Sequence, residues 1–445
     1  VGRPPVIPVG AVALVIAGVL GGAASKWRAA QRARFAPQTI EAHARAAGAA
    51  CGRDADAGLG AGPPPTGVDA PAVTAMLHGD ARRTNRALAA APRSAPQVLW
   101  TRDVGGPVEA QVVSSPDERT LYVASLSGAL TALAREDGSI QFTVPLGDRA
   151  YATPCVGPDG TIYQGSDAHK LVAVTPEGRV RWSLDTDGDA DTGPAVAADG
   201  SVVFAAGRMV YGVSPRGQVL WRFAAKRKVF AAPAIDASGR VFVGSQDHHV
   251  YALGSDHRAI WSVDLGADVD GAPAIGDAGE VYVGTDGDEV VRLDAADGRV
   301  VWRATVGGFV RGPLSVARNG DVLAGVYGPA PREVRIRAVD GALVGSFAVQ
   351  GTGARDFGVH GGALEDAHGT LIFGTQADDV IAVDDDGKLL WRETTGGDVD
   401  APATLLSDGT LVVASDDGIV RAFAGNAARS AERSVDRSKA ADGTL

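Results

Sequence analysis

The stretch Gly271–Trp302, GAPAIGDAGEVYVGTDGDEVVRLDAADGRVVW, decides the fold. It holds short apolar runs joined by turns rich in Asp and Gly, and it closes on a tryptophan. Runs of this kind bounded by such turns read as β-strands joined by tight hairpins. Variants of the first half recur along the chain: ATPCVGPDGTIYQGS, TGPAVAADGSVVFAA, AAPAIDASGRVFVGS, RGPLSVARNGDVLAGV, GGALEDAHGTLIFGT, DAPATLLSDGTLVVAS and a looser AQVVSSPDERTLYVAS. The aromatic that ends each unit sets the period. The series Trp100, Phe142, Trp182, Trp221, Trp261, Trp302, Phe347 and Trp391 is spaced by 39 to 45 residues, and it takes six of the seven tryptophans.

Each unit reads as four strands. Strand A is the small Pro-Ala-Ile type of run, B the VYVGS type, C the HVYAL type and D the VVW type. A lone four-stranded sheet leaves two apolar faces bare, whereas copies packed face to face around an axis bury them. The eighth copy stops at Ile419–Phe423 without a strand D, and an orphan strand D, QVLWTR, stands at Gln97–Arg102. Joining the two removes two open sheet edges. The expected fold is therefore all-β: an eight-bladed β-propeller over residues 97–424, closed by an N-terminal strand. The aromatic series is expected to fill the gaps between adjacent blades.

Outside the repeats the composition changes. Val6–Ala24 is free of charge and is followed by Lys26, Arg28, Arg32 and Arg34, so residues 1–36 are expected to be a signal peptide or a membrane anchor. Residues 37–96 read as a flexible linker and lead-in, rich in Ala, Gly and Pro, with Cys51 either a lipidation site or a free thiol. The tail 425–445 has the composition of a disordered segment. A net charge of −11 argues against nucleic-acid binding. Two distant cysteines, Cys51 and Cys155, make no disulfide framework and no zinc motif.

The segments AVDDDGKLLW (382–391), RLDAADGRVVW (292–302) and AVTPEGRVRW (173–182) resemble the tryptophan-docking repeat of PQQ-binding-like propellers. The lead-in MLHGDARRTNR (76–86) is similar to the segment that precedes such propellers. The resemblance reaches both quinoprotein alcohol dehydrogenases and BamB-like assembly lipoproteins, which are binding scaffolds without a cofactor. Function does not follow from such a fold alone.

In an antiparallel blade the A–B and C–D turns share one end of the propeller. The B–C loops and the connections between blades share the other, and these vary more, as binding loops on a rigid scaffold do. The position nine residues before each A–B turn glycine reads Tyr151, Asp191, Phe230, Asp270, Arg311, His360 and Asp400, with Glu109 or Ala110 in the first copy. Together with Asp268 and Asp398 of the two Asp-Val-Asp motifs, these are the expected partner-binding residues, because the resemblance implies docking through acidic inter-blade loops. The insertion Tyr327–Arg332 is expected to cover part of the channel mouth.

Catalytic and metal-binding residues are not expected. Asp185–Asp189 alternates acids, but its glycine is fourth rather than sixth, and Val196 stands at the twelfth position of a calcium loop. Adjacent His248 and His249 point to opposite faces of a strand approach. Quinone-dependent oxidation needs a bound quinone, calcium with carboxylate and amide ligands and a catalytic aspartate, and the resemblance to quinoprotein dehydrogenases implies neighbouring cysteines as well. The repeats offer no such cysteine pair and asparagine is scarce in them, so neither PQQ nor calcium is expected. The function expected is a monomeric, non-catalytic scaffold, membrane-tethered or exported, that holds an envelope protein partner. A small-ligand or carbohydrate-binding propeller and a PQQ-dependent dehydrogenase are the alternatives.

Overall fold

The computed structural model describes residues 74–351 and 357–425. The expectations for the apolar segment 1–36, for 37–73 with Cys51, and for the tail beyond 425 lie outside the described residues. Among the described residues no helix is long and apolar enough to cross a membrane.

The sequence period becomes eight antiparallel sheets of four strands each. Blade 1 comprises Val113–Ser114, Thr120–Ser125, Ala129–Ala134 and Ile140–Pro145 as strands A to D. Blades 2 to 7 follow in chain order, from Cys155–Val156 to Leu389–Thr394. Blade 8 is assembled from Thr404–Leu405, Leu411–Ala414, Ile419–Phe423 and the N-terminal Val98–Asp103. In that closure Trp100 lies opposite Ala422 and Asp103 opposite Ile419. Strands B are buried on both faces, which explains why they read as unbroken apolar runs rather than alternating ones.

One row of residues crosses each blade. In blade 5 it runs Ala274, Tyr282, Arg292, Trp302. The tryptophan at its outer end leans onto the next blade's C–D turn, whose glycine leaves room for the ring. Trp302 donates its indole N–H to the Ala338 carbonyl at 2.8 Å, and a Cβ on Gly341 would fall 2.8 Å from the ring. Trp100, Trp182 and Trp261 donate in the same way to Arg135, Pro215 and Ala295. Phe142 packs on Gly178, and Trp221 stacks on His257 with centroids 4.6 Å apart. Blade 8 has no C–D turn, and there Trp391 donates to the Pro92 carbonyl instead.

The seventh aromatic of the series, Phe347, is a correction. In blade 6 the row is Ser315, Leu323, Arg335, Gly345. Glycine therefore occupies the tryptophan's place, and Phe347 stands two residues further along the same face, against Phe373 of blade 7 at 5.9 Å. It is not the counterpart of the other docking aromatics.

The lead-in is also more than a linker from residue 74 onward. It threads the axis near the A–B turns. The N–H groups of Ser114, Val156, Ile235, Ile275, Val316 and Glu365, each the last residue of a strand A, donate to the carbonyls of Thr74, Ala75, Ala81, Arg82, Thr84 and Asn85. His78, Arg83 and Asn85 take left-handed backbone angles, which let successive carbonyls face successive blades. Arg83 is fully buried, and its guanidinium donates to the carbonyls of Leu77, Gly193, Pro194 and Pro233. A buried cation remains tolerable when its donors are satisfied in this way.

Trp100 is 8% exposed and holds the ring shut. Trp100→Ala is expected to lower unfolding free energy by about 3–5 kcal/mol, read from urea denaturation. A loss below about 1 kcal/mol would show that closure rests on the strand pairing alone.

Candidate functional site

By plugging the axis, the lead-in (hereafter the plug) shapes the opposite end of the axis into a cup. Leu77 forms part of its floor, and His78 beneath it bonds the carbonyls of Leu314 and Gly361 through its two ring nitrogens. Burial lowers the His78 pKa to about 4, so the ring is neutral. The cup encloses about 110 Å³.

One residue per blade lines it. Glu109, Tyr151, Asp191, Phe230, Asp270, Arg311, His360 and Asp400 all face the same cavity, so the position read from the sequence is one ring in space. Glycine after the rim residue lets the blades approach closely here: a Cβ on Gly271 would sit 2.2 Å from the Gly312 carbonyl oxygen, and one on Gly312 1.9 Å from that of His360. Asp268 and Asp398 are not brought into the cup. Asp268 sits further out, 3.2 Å from His248 and 3.8 Å from Arg227. His249 turns instead to the Asp247 carbonyl.

Half of the rim is acidic. Asp191 accepts from Lys228 at 2.9 Å, Asp270 from the Gln246 amide at 3.5 Å, and Asp400 from the Gln376 amide at 3.2 Å. In all three the other oxygen, Oδ1, is buried without a hydrogen-bond partner among the described residues. Arg311 is held by Asp286, with Nη2 at 2.8 Å. Burial, then the neighbouring Asp286 and Asp268, push the Asp270 carboxyl up to about 7. Burial and the nearby Asp400, Asp416 and Asp398 hold Glu109 well above its usual range. Asp167 is pushed up to about 8 by burial and by Asp191 and Asp189.

Two acidic triads, Glu109–Asp400–Asp416 and Asp167–Asp189–Asp191, have oxygens within 4.8 Å of one another. The Tyr327 insertion reaches this end of the axis: the Tyr327 hydroxyl bonds His360 Nδ1, and its backbone bridges Phe309. The floor residues Leu77 and His78 and the amides Gln246 and Gln376 were not identified from sequence. The conspicuous MLHGDARRTNR stretch was the one available signal for the floor.

The cup is small. Its volume is well under the roughly 300 Å³ at which cofactor pockets begin, and its floor is closed by the plug. Cys155 is buried with its thiol pushed up to about 12 by desolvation, and Cys51 lies outside the described residues.

The raised Asp270 pKa carries a stability consequence. A carboxyl near 7 when folded and 3.8 when unfolded contributes fully below pH 4, and that contribution is lost as pH rises through 7. Asp270→Asn lacks this titration. The variant is expected to match wild type at pH 4 and to melt higher by on the order of 2 °C at pH 8. Parallel melting temperatures at both pH values would refute the shift.

Comparison with known proteins places this geometry among relatives. The family described as outer membrane protein assembly factor BamB matches residues 86–207, 168–259, 246–325 and 330–441. No curated protein matches the chain. Among solved structures, BamB from Moraxella catarrhalis is similar with a TM-score of 0.61 and 17% identity, over 74% of this chain and 99% of that one. A europium-containing methanol dehydrogenase gives 0.65 at 12% identity, over 77% and 89%. The computationally designed Ika8 protein gives 0.58 at 13% identity, over 74% and 99%. At such identities these likenesses show the fold and nothing finer.

Proposed function

The chain belongs to the family of outer membrane protein assembly factor BamB, and on that premise we propose that it is a non-catalytic scaffold of the cell envelope that binds a protein partner. The partner docks on the end of the propeller formed by the B–C and inter-blade loops. The observation that carries this reading is the convergence of one rim residue from every blade on a single acidic cup.

Four of the eight rim residues are carboxylic acids, against one arginine that Asp286 already engages. Unpartnered Oδ1 atoms on Asp191, Asp270 and Asp400 are acceptors in want of donors. A lysine or arginine side chain on a partner loop supplies such donors, and about 110 Å³ is room for one side-chain tip rather than for a cofactor. Tyr151 and Phe230 offer ring faces beside the acids, and at Phe230 the Lys228 ammonium already lies 4.1 Å from the ring centre. The small volume of the cup supports a scaffold over a dehydrogenase.

Immobilised protein carrying Asp191→Asn, Asp270→Asn and Asp400→Asn together tests the reading against extracts of the native envelope. The partner captured by wild type is expected to be lost from the triple variant and kept by Glu177→Gln, a change in an exposed C–D turn. Equal capture by the triple variant would remove the cup from the interface.

A further inference from the structure

The junction between blades 6 and 7 lacks the aromatic seat found at its neighbours. Gly345 stands where tryptophan stands in blade 5, and a Cβ on Gly387, in blade 7's C–D turn, would have nothing within 4 Å. On the equivalent turn glycines Gly138, Gly178, Gly217, Gly298 and Gly341 a Cβ would strike a ring at 2.4 to 2.8 Å. The missing indole leaves a cavity of about 280 Å³.

That cavity contains a side chain with no counterpart in the repeat. The second residue of strand C is leucine in blades 1 and 2 (Leu130, Leu171) and valine in blades 3 to 5 and 7 to 8, from Val210 to Val420. In blade 6 it is Glu333, opposite Gly325 on one side and Phe347 on the other. Glu333 is 3% exposed, and neither carboxyl oxygen has a hydrogen-bond partner among the described residues. Burial alone pushes it up to about 8. An acid so placed destabilises the fold, and the valine of other blades would remove the cost.

The surroundings favour positive charge. Asp321, from the start of strand B, and Asp385 and Asp386, from the turn of blade 7, also line the cavity. Among the described residues the one cation facing it is Arg335, on Glu333's own strand, which donates to the Asp385 carbonyl at 3.2 Å at the cavity wall and lies 3.9 Å from Glu365. Val334, Val344, Phe347 and Leu371 supply apolar wall.

We propose that this inter-blade slot binds a small organic cation, an amine or guanidine on a flat apolar body. The body occupies the place that an aromatic ring fills at the other junctions, and the cationic head pairs with Glu333. On binding, Glu333 gives its proton to solvent and forms a charge-assisted pair with the ligand's N–H donors. Affinity therefore rises as pH climbs through about 8, while the ligand keeps its charge.

Tryptamine is the probe, with 3-methylindole as its uncharged counterpart, both titrated calorimetrically into the full chain. Wild type is expected to bind tryptamine about tenfold more tightly at pH 9 than at pH 7, with proton release seen as a buffer-dependent enthalpy. Glu333→Gln is expected to weaken tryptamine at least about tenfold at pH 9 and to leave 3-methylindole unchanged. Gly345→Trp, which refills the seat, is expected to bind neither. Equal tryptamine affinity in wild type and Glu333→Gln, retained binding in Gly345→Trp, or no saturable tryptamine binding by wild type at pH 9 would each overturn the proposal. The comparison with Glu333→Gln stands even if Gly345→Trp does not fold.

Discussion

Every junction of this propeller must bury the outer face of one sheet against the next, and at four of the eight an indole seated on a glycine-bearing turn does it. The ring fills the wedge-shaped gap, and its N–H satisfies a turn carbonyl that the next blade cannot satisfy itself. The turn glycines take positive φ, so the same residue that makes the turn also clears space for the ring. Where blade 8 has no C–D turn, the Pro92 carbonyl of the lead-in stands in for it. The closure of the ring and its ordinary junctions thus use one contact.

The axis poses a separate problem. Eight short strands A end there, and their N–H groups would point into a narrow channel. The lead-in answers six of these with its own carbonyls and places Arg83 where further carbonyls gather. One consequence is functional: the axis is not a through-hole but a cup with a floor, and whatever it receives must come from the face carrying the inter-blade loops. Desolvation keeps His78 neutral in that floor, and this limits the positive charge beneath the acidic rim.

The architecture was legible because a period in side-chain type maps directly onto a period in space. The rim was legible for the same reason: a fixed offset from a turn glycine fixes a position at the axis, so Tyr151 through Asp400 converge as the offset implied. Phe347 shows the limit. Two residues apart on a strand means the same face, so an aromatic two positions late preserves the pattern by eye while leaving the seat itself at Gly345. Only the cross-strand register separates the two. The plug left no periodic trace, because it is held by backbone carbonyls and left-handed residues rather than by a repeating apolar face. Asp268 and Asp398 were drawn in by a motif of alternate acids. Only the second acid of each motif, Asp270 or Asp400, stands at the strand-A entry and lines the cup.

Both acidic places in this molecule hold carboxyls pushed upward, yet for different reasons. In the cup, acids crowd one another, and Lys228, Arg311 and the two glutamine amides offset part of the cost. Such a balance suits an exposed surface that meets a charged partner and leaves it again, since the free state is already half compensated. Glu333 has burial acting on it and no compensating group. A wall of valine or leucine serves the other blades at that position, and an aromatic ring serves their junctions. Blade 6 departs from both at once, on adjoining strands facing one cavity. Loss of a ring alone would open a hole lined by apolar atoms. Gain of a carboxyl alone would force a polar group against a packed ring. Only the two changes together yield a slot with both room and charge, which separates this junction from a worn copy of the repeat.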